Sequence, residues 1–409
     1  MGAAVPQSDL HDASLHLLRR RDIDDHRCTC RRSSRSGDVR LNDWLKTQAD
    51  QCEREGLVRL LKPRDVKSDL LDLAGNDYLA LSQDPRVREA ASLAALEWGA
   101  GAGASRLVTG TLQVHADLEA ALTQLTGQEA ALVHSTGYHA NLSAVTALTD
   151  KDTLLVSDAH IHASLVDACR LSRGMVEVVG HNDLAAVERA LSVRRQPRAI
   201  VLAESIYSVL GDRAPLAELF ALCERFDATL LVDEAHGIGV AGGGRGLVHA
   251  CGLAGRDNVV VTMTLSKALG SQGGAVLASA EVVDHLVNRA RPFIYDTGLA
   301  PAATGAALEA LRIIGAEPAL VERVNAVSQA LAAAAGVAPV AGAVLSVEMP
   351  GPREAIAAQA ECARQGVRVG CFRPPSVPDG TCGLRIPASA GLEDDRLAYA
   401  CRDIETVSR

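Results

Sequence analysis

Lys267 sits where a surface lysine has no need to be. It follows the apolar run Asn258–Thr262 and the hydroxyl-bearing Thr264-Leu265-Ser266, and it precedes the glycine-rich Gly270-Ser271-Gln272-Gly273-Gly274. The chain has 5 lysines, and Lys267 is the only one after Lys151. Arginine supplies nearly all the other positive charge, so a lysine retained here suggests a task arginine cannot perform. Arginine stays protonated, whereas a desolvated lysine lowers its pKa and attacks a carbonyl. Thr264 and Ser266 add hydroxyls suited to a phosphate. A second apolar run, Thr229–Val232, ends in Asp233-Glu234-Ala235-His236-Gly237. Burying a carboxylate and an imidazole at a strand end is costly without partners. The segment is therefore either a satisfied core ion pair or a site. A Schiff-base lysine, phosphate-binding hydroxyls and a carboxylate from another strand together suit pyridoxal phosphate, whose ring nitrogen needs an acidic partner.

Other motifs carry less. Gly237-Ile238-Gly239-Val240-Ala241-Gly242 fits the dinucleotide pattern G-x-G-x-x-G. The helix that pattern requires is replaced by Gly243-Gly244-Arg245-Gly246, a poor helix start. Asp158, His160 and His162 resemble a ligand cluster, but no Cys or Glu nearby completes a set of four, so no metal is expected. His134 and His139 read as ordinary, partly buried histidines. The net charge of −9 argues against a nucleic-acid partner. Ten scattered cysteines without a C-x-x-C pair read as reduced thiols, and no signal peptide is evident, so a cytoplasmic location is expected. The longest uncharged run, Gln329–Val347, is rich in Ala and Gly and contains Pro339, so it reads as packed small-residue structure and no membrane partner is expected.

The elements that must hold these residues follow from the hydrophobic pattern. Residues 1–39 are dense in Arg and Asp and read as a solvated, disordered extension. Residues 40–84 form an N-terminal segment with a helix over Leu41–Gly56 and a short strand over Asp69–Leu73. A helix is expected over Pro85–Trp98. Strands are then expected at Ala130–His134, Thr153–Ser157, Met175–Val179, Ala199–Ala203, Thr229–Val232, Asn258–Thr262 and Gly274–Ala278, most of them separated by helices. Short runs apolar on both faces, alternating with helices, mean an α/β domain with a mostly parallel sheet. Such sheets bind ligands outside the carboxyl ends of their strands. The large domain is expected over 85–300. A smaller αβ domain, opening on an Ala-rich helix over Ala302–Gly315, is expected over 301–409.

The motifs, taken in order, resemble the α-oxoamine synthase family, within the fold-type-I PLP-dependent transferases. They are Gly75-Asn76-Asp77-Tyr78-Leu79, the segment Gly101–Gly110, Ser135-Thr136-Gly137-Tyr138-His139-Ala140-Asn141, His162-Ala163-Ser164-Leu165, Glu204-Ser205-Ile206-Tyr207-Ser208, Asp233–Gly237, Thr264–Lys267 and Arg373-Pro374-Pro375-Ser376-Val377-Pro378. The resemblance runs from about Leu41 to Arg396, and the arginine-prolines block favours the biotin-pathway branch. It implies a seven-stranded, mostly parallel sheet with a smaller C-terminal domain, and pyridoxal 5′-phosphate as cofactor. It also implies a decarboxylating condensation of L-alanine with pimeloyl-CoA or pimeloyl-ACP. Relatives using glycine with a short acyl-CoA, or serine with a long one, would share the same catalytic residues.

The resemblance further implies roles. Lys267 binds the cofactor covalently and moves the Cα proton. Asp233 pairs with the ring nitrogen, and His162 stacks on the ring. His236 and Ser208 lie near the phenolic oxygen. Gly137 and Tyr138 offer backbone N–H groups to the phosphate and Thr264 a hydroxyl. Thr297 reaches the phosphate of a partner subunit, which implies a homodimer with a shared active site. Arg59, Arg373 and Ser376 contact substrate, as does His162. Arg385 clamps the amino-acid carboxylate in a bidentate pair. Family members usually carry Thr or Ser after that arginine, where Ile386-Pro387 stand here. Lys267→Ala is expected to bind cofactor without turnover. Equilibrium dialysis of the cofactor and an assay of free thiol release check this, and full activity in the variant contradicts the role.

Overall fold

The structure, a computed structural model, describes residues 40–374, 377 and 380–408. The extension 1–39 and Ser376 lie outside the described residues, together with the expectations placed on them. Residues up to Glu53 form a unit of their own, whose described part, residues 40–53, holds all but the last residue of the amphipathic helix Leu41–Arg54, a helix with no buried side chain.

The strands of the remaining unit are β1 (Leu71–Leu73), β2 (Ala130–His134), β3 (Thr153–Asp158), β4 (Met175–Val179), β5 (Arg198–Glu204), β6 (Thr229–Asp233), β7 (Val259–Thr264), β8 (Gly274–Ala278), β9 (Val344–Met349), β10 (Val367–Phe372) and β11 (Cys382–Pro387). Seven of them form one sheet in the order β2-β8-β7-β6-β5-β3-β4, in which β8 alone runs against the others. Leu154, Val156, Val201 and Val232 turn into one core, and Leu155, Ile200, Leu202 and Leu231 into the other. Both faces are dry, which is why these strands read as unbroken apolar runs. The helices Gly137–Leu148 and Ala163–Leu171 cover one face through Ala140, Ala144 and Leu165. The helices Gln113–Thr126, Leu216–Arg225 and Pro301–Ala316 cover the other through Leu118, Leu219 and Ala310.

Small residues fill the space that aromatics would take in another protein. The helix Pro301–Ala316 lies so close to Pro85–Trp98 that a Cβ on Gly305 would stand 2.7 Å from the Ala94 Cβ. This helix opens the expected C-terminal domain, yet it packs on the layer that covers the large sheet. The second sheet has the order β1-β10-β11-β9. β1 is parallel to β10, with Leu71 opposite Val367, and the other pairs are antiparallel. A strand from ahead of the large sheet thus completes a sheet built from the end of the chain. Among the described residues no helix is long and apolar enough to cross a membrane.

Leu231, at the centre of β6, is fully buried. Leu231→Ala is expected to cost about 2–5 kcal/mol through lost burial and a residual cavity. The shift of the urea unfolding midpoint measures it, and an unchanged midpoint contradicts the packing described.

Candidate cofactor site

Four strands of the large sheet end in polar residues at one edge: β3 in Asp158, β5 in Glu204, β6 in Asp233 and β7 in Thr264. Glu204 and Asp233 are register neighbours. Beyond Thr264 the chain folds back tightly. Leu265 N–H donates to Gly273 O at 2.9 Å and Ser271 N–H to Leu265 O at 3.0 Å. Leu265, Ala268 and Leu269 are buried. Gly270 adopts φ +60° against the Ser82 backbone, where a Cβ would stand 2.2 Å from Ser82 N. This turn fixes Lys267, whose Nζ lies 2.8 Å from His236 Nε2.

Burial dominates the electrostatics. It lowers the Lys267 amine to about 8, against the opposing charges of Asp233 and Glu204. Burial, reinforced by the Asp233 charge, raises the Glu204 carboxyl to about 8. Burial, then Lys267 and Arg385, hold His236 well below the usual histidine range, so it is neutral. Its Nδ1 lies 2.6 Å from the Tyr78 hydroxyl, which donates to Asn76 Oδ1 at 3.2 Å. With Tyr78 donating onward, His236 carries its proton on Nδ1 and presents Nε2 as an acceptor to Lys267. Burial also lowers His162, which the Asp233 charge opposes.

The helix Gly137–Leu148 begins beside Thr264. Thr136 caps it, its hydroxyl accepting His139 N–H at 3.0 Å. A Cβ on Gly137 would stand 2.9 Å from the Thr264 Cβ, so glycine alone allows this approach. One turn on, Asn141 Nδ2 donates to Asp233 Oδ2 at 2.7 Å and to Ser164 Oγ at 2.8 Å, while its Oδ1 accepts from Thr262 Oγ1 at 2.6 Å. The other Asp233 oxygen accepts Ala235 N–H at 2.9 Å. The resulting cavity of about 230 Å³ has Gly137, Tyr138 and Thr264 at one end, His162 and Asp233 in its wall, and Lys267 and His236 beside them. A helix start with close glycine and a hydroxyl fits a phosphate. A carboxylate held by donors fits a pyridinium nitrogen, and a half-neutral amine fits an aldehyde. The residues present therefore fit pyridoxal 5′-phosphate.

The structure brings together Gly137, Tyr138, His162, Asp233, His236, Thr264 and Lys267 in this cavity. The Tyr138 hydroxyl itself turns away and donates to Asp167. Ser208 and Arg385 adjoin. Ser208 N–H donates to Glu204 Oε2 at 3.0 Å, and its carbonyl accepts Arg385 Nε at 2.7 Å. Arg385, 3% exposed on β11, also donates to Asn76 Oδ1 at 2.8 Å. Three residues lie elsewhere. Thr297 pairs with Ser105 in an isolated bridge, outside this cavity. Arg59 donates to Pro374 O at 3.2 Å, and Arg373 to Gly56 O at 2.5 Å. These two lace the strap after the first helix to the end of β10. His160 and His162 do not share a strand, because the chain leaves β3 at Asp158 and His162 caps the helix Ala163–Leu171. Among the described residues no cluster could hold a metal.

Sequence reasoning assigned no role to Asn141, Glu204, Asn76 or Tyr78. Glu204 carried the same signal as Asp233, a carboxylate closing an apolar strand. Asn141 stood four residues after Gly137, on the same helical face. Asn76 and Tyr78 join the site only through tertiary folding.

Comparison with known proteins identifies the chain's relatives. The family described as aminotransferase class I and II matches residues 68–404. An 8-amino-7-oxononanoate synthase of Mycolicibacterium gilvum is 54% identical over 87% of this chain and 94% of its own. One of Mycobacterium marinum is 52% identical over 89% and 94%. Among solved structures, a serine palmitoyltransferase from S. paucimobilis with a bound PLP–myriocin aldimine superposes with TM-score 0.83 at 27% identity, covering 89% of this chain and 96% of that one. An 8-amino-7-oxononanoate synthase from Francisella tularensis, 23% identical over 82% and 97%, shares the fold with TM-score 0.70.

The lowered Lys267 pKa has a direct chemical readout. In cofactor-free protein, arylation of Lys267 by 1-fluoro-2,4-dinitrobenzene should rise with pH about a midpoint near 8. Peptide mass spectrometry follows it, and a midpoint near the ordinary lysine value contradicts the burial described.

Proposed function

The chain belongs to the aminotransferase class I and II family, in its 8-amino-7-oxononanoate synthase branch, and on that premise we propose that it joins L-alanine to a pimeloyl thioester with loss of carbon dioxide. The observation that carries the reading is the buried Lys267 amine beside the Asn141-anchored Asp233. A new bond forms between the alanine Cα and the thioester carbonyl carbon, and the C–S bond breaks to free coenzyme A or a carrier thiol. The bond from Cα to the alanine carboxylate then breaks, and a proton replaces the carbon dioxide.

Pyridoxal phosphate, when bound, supplies an electron sink for charge developing at Cα. The chain's residues bind, orient and move protons. The Gly137 and Tyr138 N–H groups and the Thr264 hydroxyl would hold the phosphate, and Asp233 would keep the ring nitrogen protonated. His162 would cover the ring face, and His236 and Ser208 would serve the phenolic oxygen. Arg385, oriented by the Ser208 carbonyl and Asn76, grips the alanine carboxylate and so aligns the bond to be broken. Lys267 Nζ takes the Cα proton, and its N–H donates to the neutral His236 Nε2 at 2.8 Å. Arg59, Arg373 and Ser376 are assigned to the acyl substrate. Thr297, lying outside its own cavity, is assigned to the phosphate of a second copy, making the working unit a homodimer. A cytoplasmic location completes the proposal.

Purified protein loaded with the cofactor, given pimeloyl-CoA, should release free thiol with L-alanine and far less with glycine or L-serine. Release led by glycine or serine would move the assignment to another α-oxoamine synthase. Absence of release with all three would remove pimeloyl-CoA as donor.

A further inference from the structure

His181 lies outside the cavity and has no part in the chemistry above, yet both of its ring nitrogens face carboxylates. Nδ1 is 3.0 Å from Asp158 Oδ1 and Nε2 is 2.8 Å from Asp212 Oδ2. Carboxylates only accept, so the ring donates from both nitrogens and is an imidazolium. Its neighbours complete the setting. The His160 ring stacks on it at 4.1 Å, and the Tyr207 ring meets it edge-on at 4.4 Å. Asn182, next in sequence and at φ +54°, donates its N–H to Asp158 Oδ2 at 2.7 Å and its side-chain amide to Asp212 Oδ2 at 3.0 Å. Asp158 ends β3, His181 follows β4, and Asp212 belongs to the turn that follows β5.

That turn carries Ser208. It is closed by Tyr207 N–H donating to Asp212 O at 2.8 Å and Gly211 N–H to Tyr207 O at 2.9 Å. The Ser208 carbonyl in turn takes Arg385 Nε. Polar contacts thus run from β3 through His181 to Asp212 and from the Asp212 carbonyl to the Tyr207 N–H, and the backbone carries the link to Ser208, whose carbonyl takes Arg385. The geometry points to His181 as a positioning residue: its imidazolium ties the Tyr207–Asp212 turn to the ends of β3 and β4, and so holds Ser208 where its carbonyl orients the carboxylate-gripping Arg385. The inference rests on the proposed role of Arg385 toward the amino-acid carboxylate.

The latch is pH-dependent. Burial alone lowers His181, but the bonds and charges of Asp158 and Asp212 outweigh it and raise the ring to about 9. A raised folded-state value means the contact is intact below the ordinary histidine range and is lost as pH rises through 9. The groups facing the ring are Asp158, Asp212, His160 and Tyr207. Without the cofactor Lys267 and Glu204 both lie near 8 inside the cavity; the loaded protein engages the Lys267 amine, and Glu204 is common to every variant.

The test uses the cofactor-loaded protein, with L-alanine affinity read from the change in cofactor absorbance between pH 7 and 10. Wild type should bind alanine more weakly as pH rises through about 9. His181→Gln should bind it about tenfold more weakly at neutral pH, in the range of coupling between linked sites. It should lose the alkaline limb while keeping its cofactor affinity. Asp212→Asn, which leaves one carboxylate on the ring, should move that limb to lower pH. Variants that bind alanine like wild type throughout overturn the inference. So does a loss of thermal stability and cofactor affinity without a selective loss of alanine binding. Wild type that gives no alanine-dependent change fails the proposed function itself, a result distinct from both.

Discussion

An amine that must be buried and remain reactive constrains everything around it. Lys267 is half-buried in the cavity wall, where burial lowers its amine against the opposing charges of Asp233 and Glu204. Those carboxylates come from adjacent strands in fixed register, and their spacing is set by the sheet rather than by any loop. A carboxylate at such a place must itself be satisfied. Asn141 holds Asp233 from the neighbouring helix, and Thr262, inside β7, holds Asn141. The helix reaches that position only because Gly137 lets it start against Thr264. The apolar sheet thus exists in a form that fixes a few charges, and the charges tolerate burial because the sheet fixes them.

The two sheets meet at this site. The large one supplies the strand-end carboxylates and the lysine turn, and the small one supplies Arg385 from β11. Between them runs a set of hydrogen bonds: Lys267 to His236, His236 to Tyr78, Tyr78 to Asn76, and Arg385 to the same Asn76 oxygen. The group that would move a proton and the group that would grip a carboxylate are therefore mechanically linked. A shift of one sheet against the other disturbs both ends of that chain.

The large sheet was legible because its strands are dry on both faces, so Leu154–Val156, Ile200–Leu202 and Leu230–Val232 stand out as β-branched and apolar runs. Boundaries slipped where a polar residue closes a strand. β7 runs through Thr264, two residues past the expected end, because Thr264 still pairs with Gly274. β1 was recognisable as a strand, but its partner, Val367 to Val369, was not, since no local pattern encodes a pairing across most of the chain. Within the site, Lys267 and Asp233 were marked by apolar strands that end in charge. Arg59 and Arg373 carry the same charge as Arg385, but they bond the Pro374 and Gly56 backbone carbonyls, between the exposed strap and the end of β10, rather than the cavity. Residue type cannot separate these cases, because burial and direction come from packing. The histidines at 160 and 162 show the same limit. Asp158 takes the His160 N–H at 2.7 Å and turns the chain there, which sends one ring to His181 and the other to the cavity.

The pairing of β1 with β10 also has a temporal side. All seven strands of the large sheet, and Lys267 with its two carboxylates, are encoded before residue 279. The small sheet can close only when β10 and β11 have followed, and joining β1 to β10 means closing a loop across most of the polypeptide, which is slow to nucleate. A chain emerging from the ribosome therefore has the means to build its reactive amine well before Arg385 has been synthesised. On the roles proposed for Lys267 and Arg385, the capacity for carbonyl chemistry would precede the capacity to choose a substrate.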